Sequence, residues 1–255
     1  MNPKIKSWEG KRVWVIGAST GIGAATATRL HDVGARVAFS ARNGDALRSL
    51  TAGMVRALVM PLDVLDRASV ADAARQIVFA FGGIDLVLVV AGGYNEMRAD
   101  QIDLDAANAM IDLNLRGAFN CLDVVLPQLL RQGSGGIGLV ASVAGYGGLP
   151  KALAYGATKA ALINLSESLY LDLRPRGIAV YQINPGFVAT PLTANNDFKM
   201  PGLMTAQAAA FAFIEGLERG HFHIHFPLGF SNAMRIARLL PYRAYFWLIH
   251  KVTGL

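Results

Sequence analysis

The chain has 255 residues, of which 53% are apolar and 16% are charged, with one cysteine and a formal net charge of +6. Charged residues fall below the roughly 25% typical of soluble proteins, so a large core can form and a disordered protein is excluded. Cys121 is the lone cysteine, so an intramolecular disulfide is excluded. No apolar run reaches the roughly 18 residues that a membrane-spanning helix needs. We therefore expect a folded cytoplasmic protein.

The excess positive charge is concentrated at the C-terminal end. Residues 221–255 contain no acidic residue and four basic ones, Arg235, Arg238, Arg243 and Lys251. The rest of the chain is close to neutral, so a nucleic-acid-binding body is not expected.

Seven short apolar segments predict β-strands, in chain order at residues 13–16, 37–40, 55–60, 86–90, 137–141, 178–183 and 221–226. Most are apolar throughout, as in parallel strands covered on both faces. Helical segments separate them, and residues 70–81 carry apolar side chains along one stripe. The alternation predicts an α/β fold with one doubly wound parallel sheet.

The first predicted strand runs into a glycine-rich turn and then a helix. The turn has the pattern Gly-x-x-x-Gly-x-Gly and consists of Gly17, Ser19, Thr20, Gly21, Ile22 and Gly23 with one alanine. Such a turn lets the backbone approach a pyrophosphate, which the positive N-terminus of the helix then holds. The strand–turn–helix context favours a dinucleotide-binding site.

The same turn also contains Gly17-x-Ser19-x-Gly21, a pattern typical of serine hydrolases. A hydrolase would need a histidine base from His221, His223, His225 or His250. The turn follows the first strand, which leaves no earlier strand and loop to supply a second oxyanion donor. The hydrolase stays as an alternative, as does a nucleotide-binding sensor or scaffold without turnover.

Arg42 follows the second predicted strand, where the residue type discriminates between NAD and NADP. An acidic residue there holds the ribose 2′-hydroxyl of NAD, whereas a basic one suits the 2′-phosphate of NADP. The segment has no acidic residue before Asp45, so the sequence favours NADP(H), with NAD(H) as the alternative. Asp63, after the third strand, either accepts from the adenine amino group or caps the helix beginning near Arg67.

Tyr155 and Lys159 are four residues apart in a predicted helix, which places them on one face. A free tyrosine titrates near pH ~10, too high for proton transfer at neutral pH. A nearby ammonium favours the phenolate, so we expect Lys159 to lower the pKa of Tyr155.

These motifs and several others follow one another as in the short-chain dehydrogenase/reductase family, which the sequence resembles from about residue 10 to about residue 190. The others are Asp63-Val64, Asn114-Leu-Arg-Gly117, Ser142 thirteen residues before Tyr155, and Pro185-Gly186-x-x-x-Thr190. The resemblance implies a single-domain Rossmann-type fold, with residues 1–230 as the dinucleotide-binding catalytic domain. Residues 231–255, where the resemblance offers little, are expected from their charge and apolar pattern to form a basic, amphipathic helical extension. It also implies hydride transfer between nicotinamide and a carbonyl or secondary alcohol.

The resemblance further implies a role for each site residue. Tyr155 is the acid/base, Ser142 holds the substrate carbonyl oxygen, Lys159 lowers the tyrosine pKa and binds the nicotinamide ribose, and Asn114 supports a water relay to the lysine. The implied cofactor-binding residues are Gly17, Ser19, Thr20, Gly21, Ile22, Gly23, Arg42, Asp63, Val64, Ala91, Gly92, Tyr155, Lys159, Pro185, Gly186, Val188 and Thr190. No metal is expected, and the protein is expected to form a homodimer or homotetramer through the helices at residues 106–130 and 160–171.

The chain departs from the family pattern after the fourth strand. The family usually shows Asn-Asn-Ala-Gly there, whereas this chain has Val89-Val90-Ala91-Gly92. The missing asparagine amide puts the stability or geometry of this loop in question more than the chemistry.

Two further segments carry expectations of their own. Residues 190–203, with Pro191, Asn195, Asn196, Pro201 and Gly202, lack a clean period, and we expect a mobile loop that closes over substrate. His221, His223 and His225 alternate along the last strand, and the outer pair would be about 13 Å apart, too far for one metal ion. A structural or interface role is expected for them.

The C-terminal extension is predicted to form two helices. Ser231 is expected to cap the first, which runs to Leu240, and Pro241 separates it from a second at residues 242–252. In the second, an apolar stripe is expected from Tyr242, Tyr245, Phe246 and Ile249, and another side from Arg243, Trp247 and Lys251. Such a segment suits either an anionic membrane surface or a flap on the substrate cleft or on a neighbouring subunit. Either arrangement enlarges an apolar site and favours a lipid-like or otherwise hydrophobic substrate.

Overall fold

The computed structural model describes residues 1–194, 196, 198 and 200–254. A seven-stranded, fully parallel sheet runs through it in the order β3-β2-β1-β4-β5-β6-β9. Its strands are β1 (Arg12–Ile16), β2 (Arg36–Ser40), β3 (Ala57–Val59), β4 (Leu86–Val89), β5 (Gly136–Val140), β6 (Ala179–Pro185) and β9 (His223–Phe226). A separate parallel pair, which the sequence did not predict, is formed by β7 (Val188–Ala189) and β8 (Met204–Thr205).

Helices cover both faces of the sheet. They are α1 (Gly21–Asp32), α2 (Gly44–Leu50), α3 (Arg67–Phe81), α4 (Leu104–Ile111), α5 (Gly117–Gln132), α6 (Leu153–Leu173), α7 (Ala206–Glu218), α8 (Leu228–Arg238) and α9 (Tyr242–Thr253). Val13 and Val15 of β1 pack toward α1 and α7, whereas Trp14 and Ile16 pack toward α3, α5 and α6. Burial on both faces explains the continuous apolar runs, and the predicted α/β doubly wound sheet is confirmed.

Two predicted strands are shorter than expected. Val55 is 90% exposed, so β3 is limited to Ala57–Val59. The backbone N–H of His221 donates to Gly216 O at the end of α7, so β9 begins only at His223. Of the three histidines, His223 and His225 therefore lie on the strand and His221 does not.

The C-terminal segment differs from its prediction in two details. Helix α8 begins at Leu228, and Ser231 lies inside its first turn with Oγ donating to Pro227 O, so Ser231 is not the cap. In α9, Tyr245 is buried whereas Tyr242 and Phe246 are exposed, so the expected apolar stripe is split between two sides. The division of the chain at residue 230 stays a prediction. Among the described residues, no helix has both the length and the apolar character needed to cross a membrane.

The strand order reverses between β1 and β4. From this point β2 and β3 extend to one side, and β5, β6 and β9 extend to the other. In open α/β sheets such a reversal leaves a crevice at the carboxyl ends of the strands, where ligands usually bind.

Candidate active site

A cavity of about 450 Å³ lies at this crevice. Ser142 lines it together with every residue predicted to bind the cofactor, namely Gly17, Ser19, Thr20, Gly21, Ile22, Gly23, Arg42, Asp63, Val64, Ala91, Gly92, Tyr155, Lys159, Pro185, Gly186, Val188 and Thr190. The structure thus brings residues from almost the whole chain to one site, while their individual roles stay predictions.

Other lining residues were not predicted to bind the cofactor. Three of them, Pro191, Leu192 and Thr193, belong to the predicted lid at residues 190–203. The others were missed, namely Ile16, Ala41, Asn43, Leu62, Val90, Leu113, Val140 and Ala141. Most of them end a strand or follow one directly, so the rule that ligands bind at the carboxyl ends of parallel strands could have found them.

The glycine turn packs closely against Val90 and Ala91, directly after β4, and places the start of α1 at the cavity. A Cβ atom on Gly17 would lie 2.5 Å from Ala91 N, and one on Gly23 would lie 2.0 Å from Gly17 O. Gly17 also has a φ of 96°, which favours glycine. Thr20 precedes α1 without capping it through its side chain, so the first N–H groups of the helix remain available to an anion. The turn therefore fits the pyrophosphate of a dinucleotide.

Arg42 stands at the end of β2 in the cavity wall. It is exposed, and within the described part of the chain it forms no ion pair. The polar side chains next to it in the sequence already have other partners. Asn43 caps α2 by accepting from Ala46 N at 3.0 Å, and Asp45 pairs with Arg48 at 2.6 Å. A basic side chain without a competing carboxylate fits a phosphate group at this position.

Asp63 lies in the same wall and accepts a hydrogen bond from Leu65 N at 2.9 Å. Helix α3 is capped instead by Asp66, which accepts from Ala68 N and Ser69 N. The expectation that Asp63 caps this helix is wrong, and its contact with adenine stays a prediction.

Ser142, Tyr155 and Lys159 meet where β5 and the start of α6 come together. Lys159 Nζ donates to Val140 O at 2.9 Å and lies 5.6 Å from the centre of the Tyr155 ring. Ser142 Oγ accepts from Ala144 N at 3.1 Å and donates to the carbonyl of Pro185 at 3.4 Å. These bonds, together with the hydrogen bond between Ser142 and the Tyr155 phenol, orient the hydroxyl, phenol and ammonium groups around one end of the cavity.

Burial is the main influence on the pKa values of Tyr155 and Lys159. It raises the pKa of Tyr155 to about 12, although the hydrogen bond with Ser142 lowers that pKa. It lowers the pKa of Lys159 to about 8. The lowering of the Tyr155 pKa that was expected from Lys159 is not found in this structure, because burial of the phenol raises this pKa by more than the hydrogen bond with Ser142 lowers it. Tyr155 is a protonated acid at neutral pH.

Asn114 lies outside the cavity wall and supports it from behind. It sits in a π-helical turn (Asp112–Arg116) that joins α4 to α5 inside the single helix predicted over residues 106–130. Its Oδ1 accepts from Gly93 N at 2.7 Å, and its Nδ2 donates to Gly93 O at 3.0 Å and to Thr158 Oγ1 at 3.1 Å. The Asn114 amide and the Lys159 ammonium both lie beside Gly92. A Cβ atom on Gly92 would lie 3.2 Å from Asn114 Oδ1 and 3.3 Å from Lys159 Nζ. Asn114 thus fixes the loop whose usual asparagine is missing.

Two tyrosines near the site were missed. The edge of Tyr94 packs on Tyr155 with ring centres 5.1 Å apart, and its hydroxyl donates to Lys151 O at 3.2 Å. Tyr146, four residues after Ser142, hydrogen-bonds His223 Nε2 at 2.7 Å. Tyr94 lies in the segment after β4 and Tyr146 in the segment after β5, and no pattern in the sequence indicated either residue.

The lid prediction concerns residues 190–203. The β7–β8 pair closes the base of this segment, and Phe198 packs on Phe187 with ring centres 5.7 Å apart. Asn195 lies outside the described residues, and closure over substrate stays a prediction.

The hydrolase alternative finds no support in this geometry. Ser19 follows β1, whereas His223 and His225 lie on β9, four strands away and thus about 19 Å across the sheet. Among the described residues no hydrogen bond joins Ser19 to a histidine, and no cluster of three His, Cys, Asp or Glu side chains could hold a metal ion.

Comparisons with known proteins agree with the fold. The family described as short chain dehydrogenase matches residues 11–200. An uncharacterized oxidoreductase of Myxococcus xanthus is 36% identical over 231 residues, which are 89% of this chain and 91% of that protein. One from Staphylococcus epidermidis is 35% identical over 204 residues, 80% of this chain and 89% of its own. The crystal structure of a short-chain dehydrogenase from Streptomyces avermitilis has a TM-score of 0.81 at 27% identity, covering 96% of this chain and 97% of that one.

Proposed function

Because the chain belongs to the short-chain dehydrogenase family of oxidoreductases, we propose that it is an NADP(H)-dependent enzyme that interconverts a carbonyl compound and a secondary alcohol. The observation that carries the choice of cofactor is Arg42, exposed and without an ion pair among the described residues at the end of β2. There its guanidinium would pair with the 2′-phosphate. The glycine turn and the start of α1 would hold the pyrophosphate, and Asp63 would bind the adenine.

The bound nicotinamide would supply the hydride for the carbonyl carbon. Tyr155, which burial keeps protonated, donates its phenolic proton to the carbonyl oxygen. Ser142 donates a hydrogen bond to the same oxygen. Lys159 would bind the nicotinamide ribose and favour the phenolate that forms, and Asn114 would support a water relay to the lysine. Contacts at the nicotinamide end would come from Pro185, Gly186, Val188 and Thr190.

We propose an apolar or lipid-like substrate. Aromatic side chains follow β6, where Phe187 packs on Phe198 and on Phe230 with ring centres 5.7 and 5.4 Å apart. On another side, Tyr245 of α9 donates to Gly148 O at 2.9 Å, so the extension packs on the loop that follows Ser142. Phe187 lies between the lining residues Gly186 and Val188, and a Cβ on Gly186 would lie 3.1 Å from Phe230 Cδ1. Apolar and aromatic side chains beside the cavity favour a hydrophobic carbonyl compound.

We further propose a homodimer or homotetramer in the cytoplasm, built through the outer faces of α5 and α6. Phe119 of α5 is 50% exposed and Leu171 of α6 is 73% exposed, and a second copy would cover them. Sedimentation equilibrium tests this, since Phe119→Glu would shift the protein toward the monomer. A monomeric wild-type protein contradicts the proposal.

The test of the catalytic function is NADPH oxidation followed against a panel of short ketones, steroids and acyl ketones, with NADH in parallel. We expect turnover with apolar ketones, and a kcat/KM at least about tenfold higher with NADPH, the lower limit for one charge-assisted hydrogen bond. A preference for NADH would contradict the role of Arg42. Failure of every carbonyl compound, with the reverse reaction on the alcohols also absent, would contradict the reductase itself.

A further inference from the structure

Helix α9 presents an unusual outward face. This face consists of residues at i, i+1, i+4, i+5, i+8 and i+9, namely Tyr242, Arg243, Phe246, Trp247, His250 and Lys251. Its three aromatic side chains are 65%, 59% and 63% exposed, in chain order. The opposite side packs on the protein through Tyr245, which is 4% exposed. Packing through the inner side explains why the helix folds against the protein. It does not explain why three large aromatic side chains are exposed on the outward face.

The surroundings of this face are positively charged. Residues 228–254 hold Arg235, Arg238, Arg243 and Lys251 and no acidic residue. None of the four forms an ion pair with a carboxylate in the part of the chain that the structure describes. Lys251 Nζ lies 5.0 Å from the Trp247 ring centre, and the Arg238 guanidinium lies 5.9 Å from that of Tyr242. Cations and aromatic rings are thus interleaved.

We propose that α8 and α9 bind the surface of an anionic lipid membrane, with the outward face of α9 at the level of the headgroups. Tryptophan and tyrosine prefer the membrane–water interface, and basic side chains attract anionic lipids. Helix α8 adds aliphatic side chains, since Leu228 and Ile236 are each 64% exposed and Leu239 is 84% exposed. Amphipathic helices with this composition lie in the interfacial plane.

Other occupants match the surface less well. A second copy related by a twofold axis would bring the same four cations against each other, and like charges repel. A nucleic acid would satisfy the cations but would leave the aliphatic side chains Leu228, Ile236 and Leu239 without a partner. An anionic bilayer surface provides for both groups.

Membrane binding would also place the loop that follows Ser142 at the bilayer. Tyr245 holds Gly148 on the loop that begins at Ser142, and a Cβ on Gly147 would lie 3.5 Å from Arg238 Cδ. An apolar carbonyl compound dissolved in the membrane would then reach the cavity directly. This consequence rests on the proposed function, whereas the binding does not.

Trp247 provides the measurement. The chain has three tryptophans, and Trp8 and Trp14 are only 4% and 0% exposed. The full chain, without cofactor or substrate, is mixed with vesicles carrying brominated acyl chains, either phosphatidylcholine alone or a mixture with one third phosphatidylglycerol. At low salt, we expect the mixed vesicles to quench the fluorescence of Trp247 and the protein to sediment with these vesicles. Concentrated NaCl should restore the fluorescence and release the protein. Quenching should disappear in Trp247→Phe while sedimentation remains.

Matched variants separate the contributions of charge and apolar contact. Removing two charges with Arg243→Gln and Lys251→Gln should weaken partitioning about 25-fold, at about fivefold for each charge. The control pair Arg131→Gln and Arg176→Gln, both exposed elsewhere, should leave it unchanged. Phe246→Ser should weaken binding, unlike Phe79→Ser on the 94% exposed aromatic of α3.

Several results would overturn the proposal. They are equal binding to both kinds of vesicle, no binding to either, or an equal effect of the control variants. Protection of Trp247 from acrylamide that rises with protein concentration in the absence of vesicles, without vesicle binding, would assign the face to a second copy. Since no readout requires turnover, these failures are distinct from failure of the reductase function.

Discussion

Arg42 is a single side chain on which the choice of cofactor depends. Arg42→Ala should weaken NADPH binding by roughly 1.5–3 kcal/mol, the range for a charge-assisted hydrogen bond, and leave NADH binding nearly unchanged. Titration calorimetry with both cofactors measures this. The control is Arg48→Ala, six residues on, whose guanidinium already pairs with Asp45. An equal loss of affinity for NADPH and NADH would show that Arg42 does not contact the 2′-phosphate.

Lys159 makes stability depend on pH at one buried position. Burial lowers its pKa from 10.5 to about 8, so between these pH values the unfolded chain binds more protons than the folded one. The contribution of Lys159 to stability therefore rises with pH across this window. From pH 7 to pH 10 the wild type should gain roughly 2–3 kcal/mol relative to Lys159→Met.

Urea unfolding of both proteins at the two pH values measures the difference. Lys11→Met, on an exposed lysine, serves as the control and should show no such trend. A difference between wild type and Lys159→Met that stays constant with pH would mean that the ammonium is not desolvated in the folded protein.

At the scale of elements, the π-helical turn between α4 and α5 is held by the side chain of Asn114. Asn114→Ala should lower the free energy of unfolding by about 3 kcal/mol, because both backbone groups of Gly93 lose their partner. Asn120→Ala, which removes the bond from α5 to Val64 O, should cost only about 1 kcal/mol. Chemical denaturation compares the two. Equal costs would show that the loop does not depend on Asn114.

Elements with a regular apolar pattern were predictable, and elements fixed by local contacts were not. Most strands of the main sheet were found because burial on both faces makes them continuously apolar, whereas β9 alternates histidine with apolar residues. The pair β7–β8 has two residues in each strand, too few to establish a pattern. The π-helical turn adds one residue to a helical turn without changing composition, so residues 106–130 looked like one ordinary helix.

For the molecule as a whole, the sequence predicted which residues come together at the site, because they follow the ends of strands. It did not predict which side chains touch one another there. Strand order brings the residues after β1, β2, β4, β5 and β6 together in any sheet of this topology. The contacts of Tyr94 on Tyr155, and of Tyr146 on His223, depend on the paths of loops, which sequence patterns do not specify. The raised pKa of Tyr155 likewise follows from burial in the finished fold.

The proposed reaction depends above all on Tyr155 as the proton donor. The most direct measurement is the turnover of Tyr155→Phe with NADPH and an apolar ketone, beside Ser19→Ala and the cofactor affinities of both variants. We predict that kcat of Tyr155→Phe falls by about 10²–10⁴-fold, since the ring stays in place and only the acid is removed, with NADPH affinity almost unchanged. Ser19→Ala should keep most of its activity. Normal turnover by Tyr155→Phe would contradict the account, and loss of activity in Ser19→Ala alone would return the hydrolase alternative.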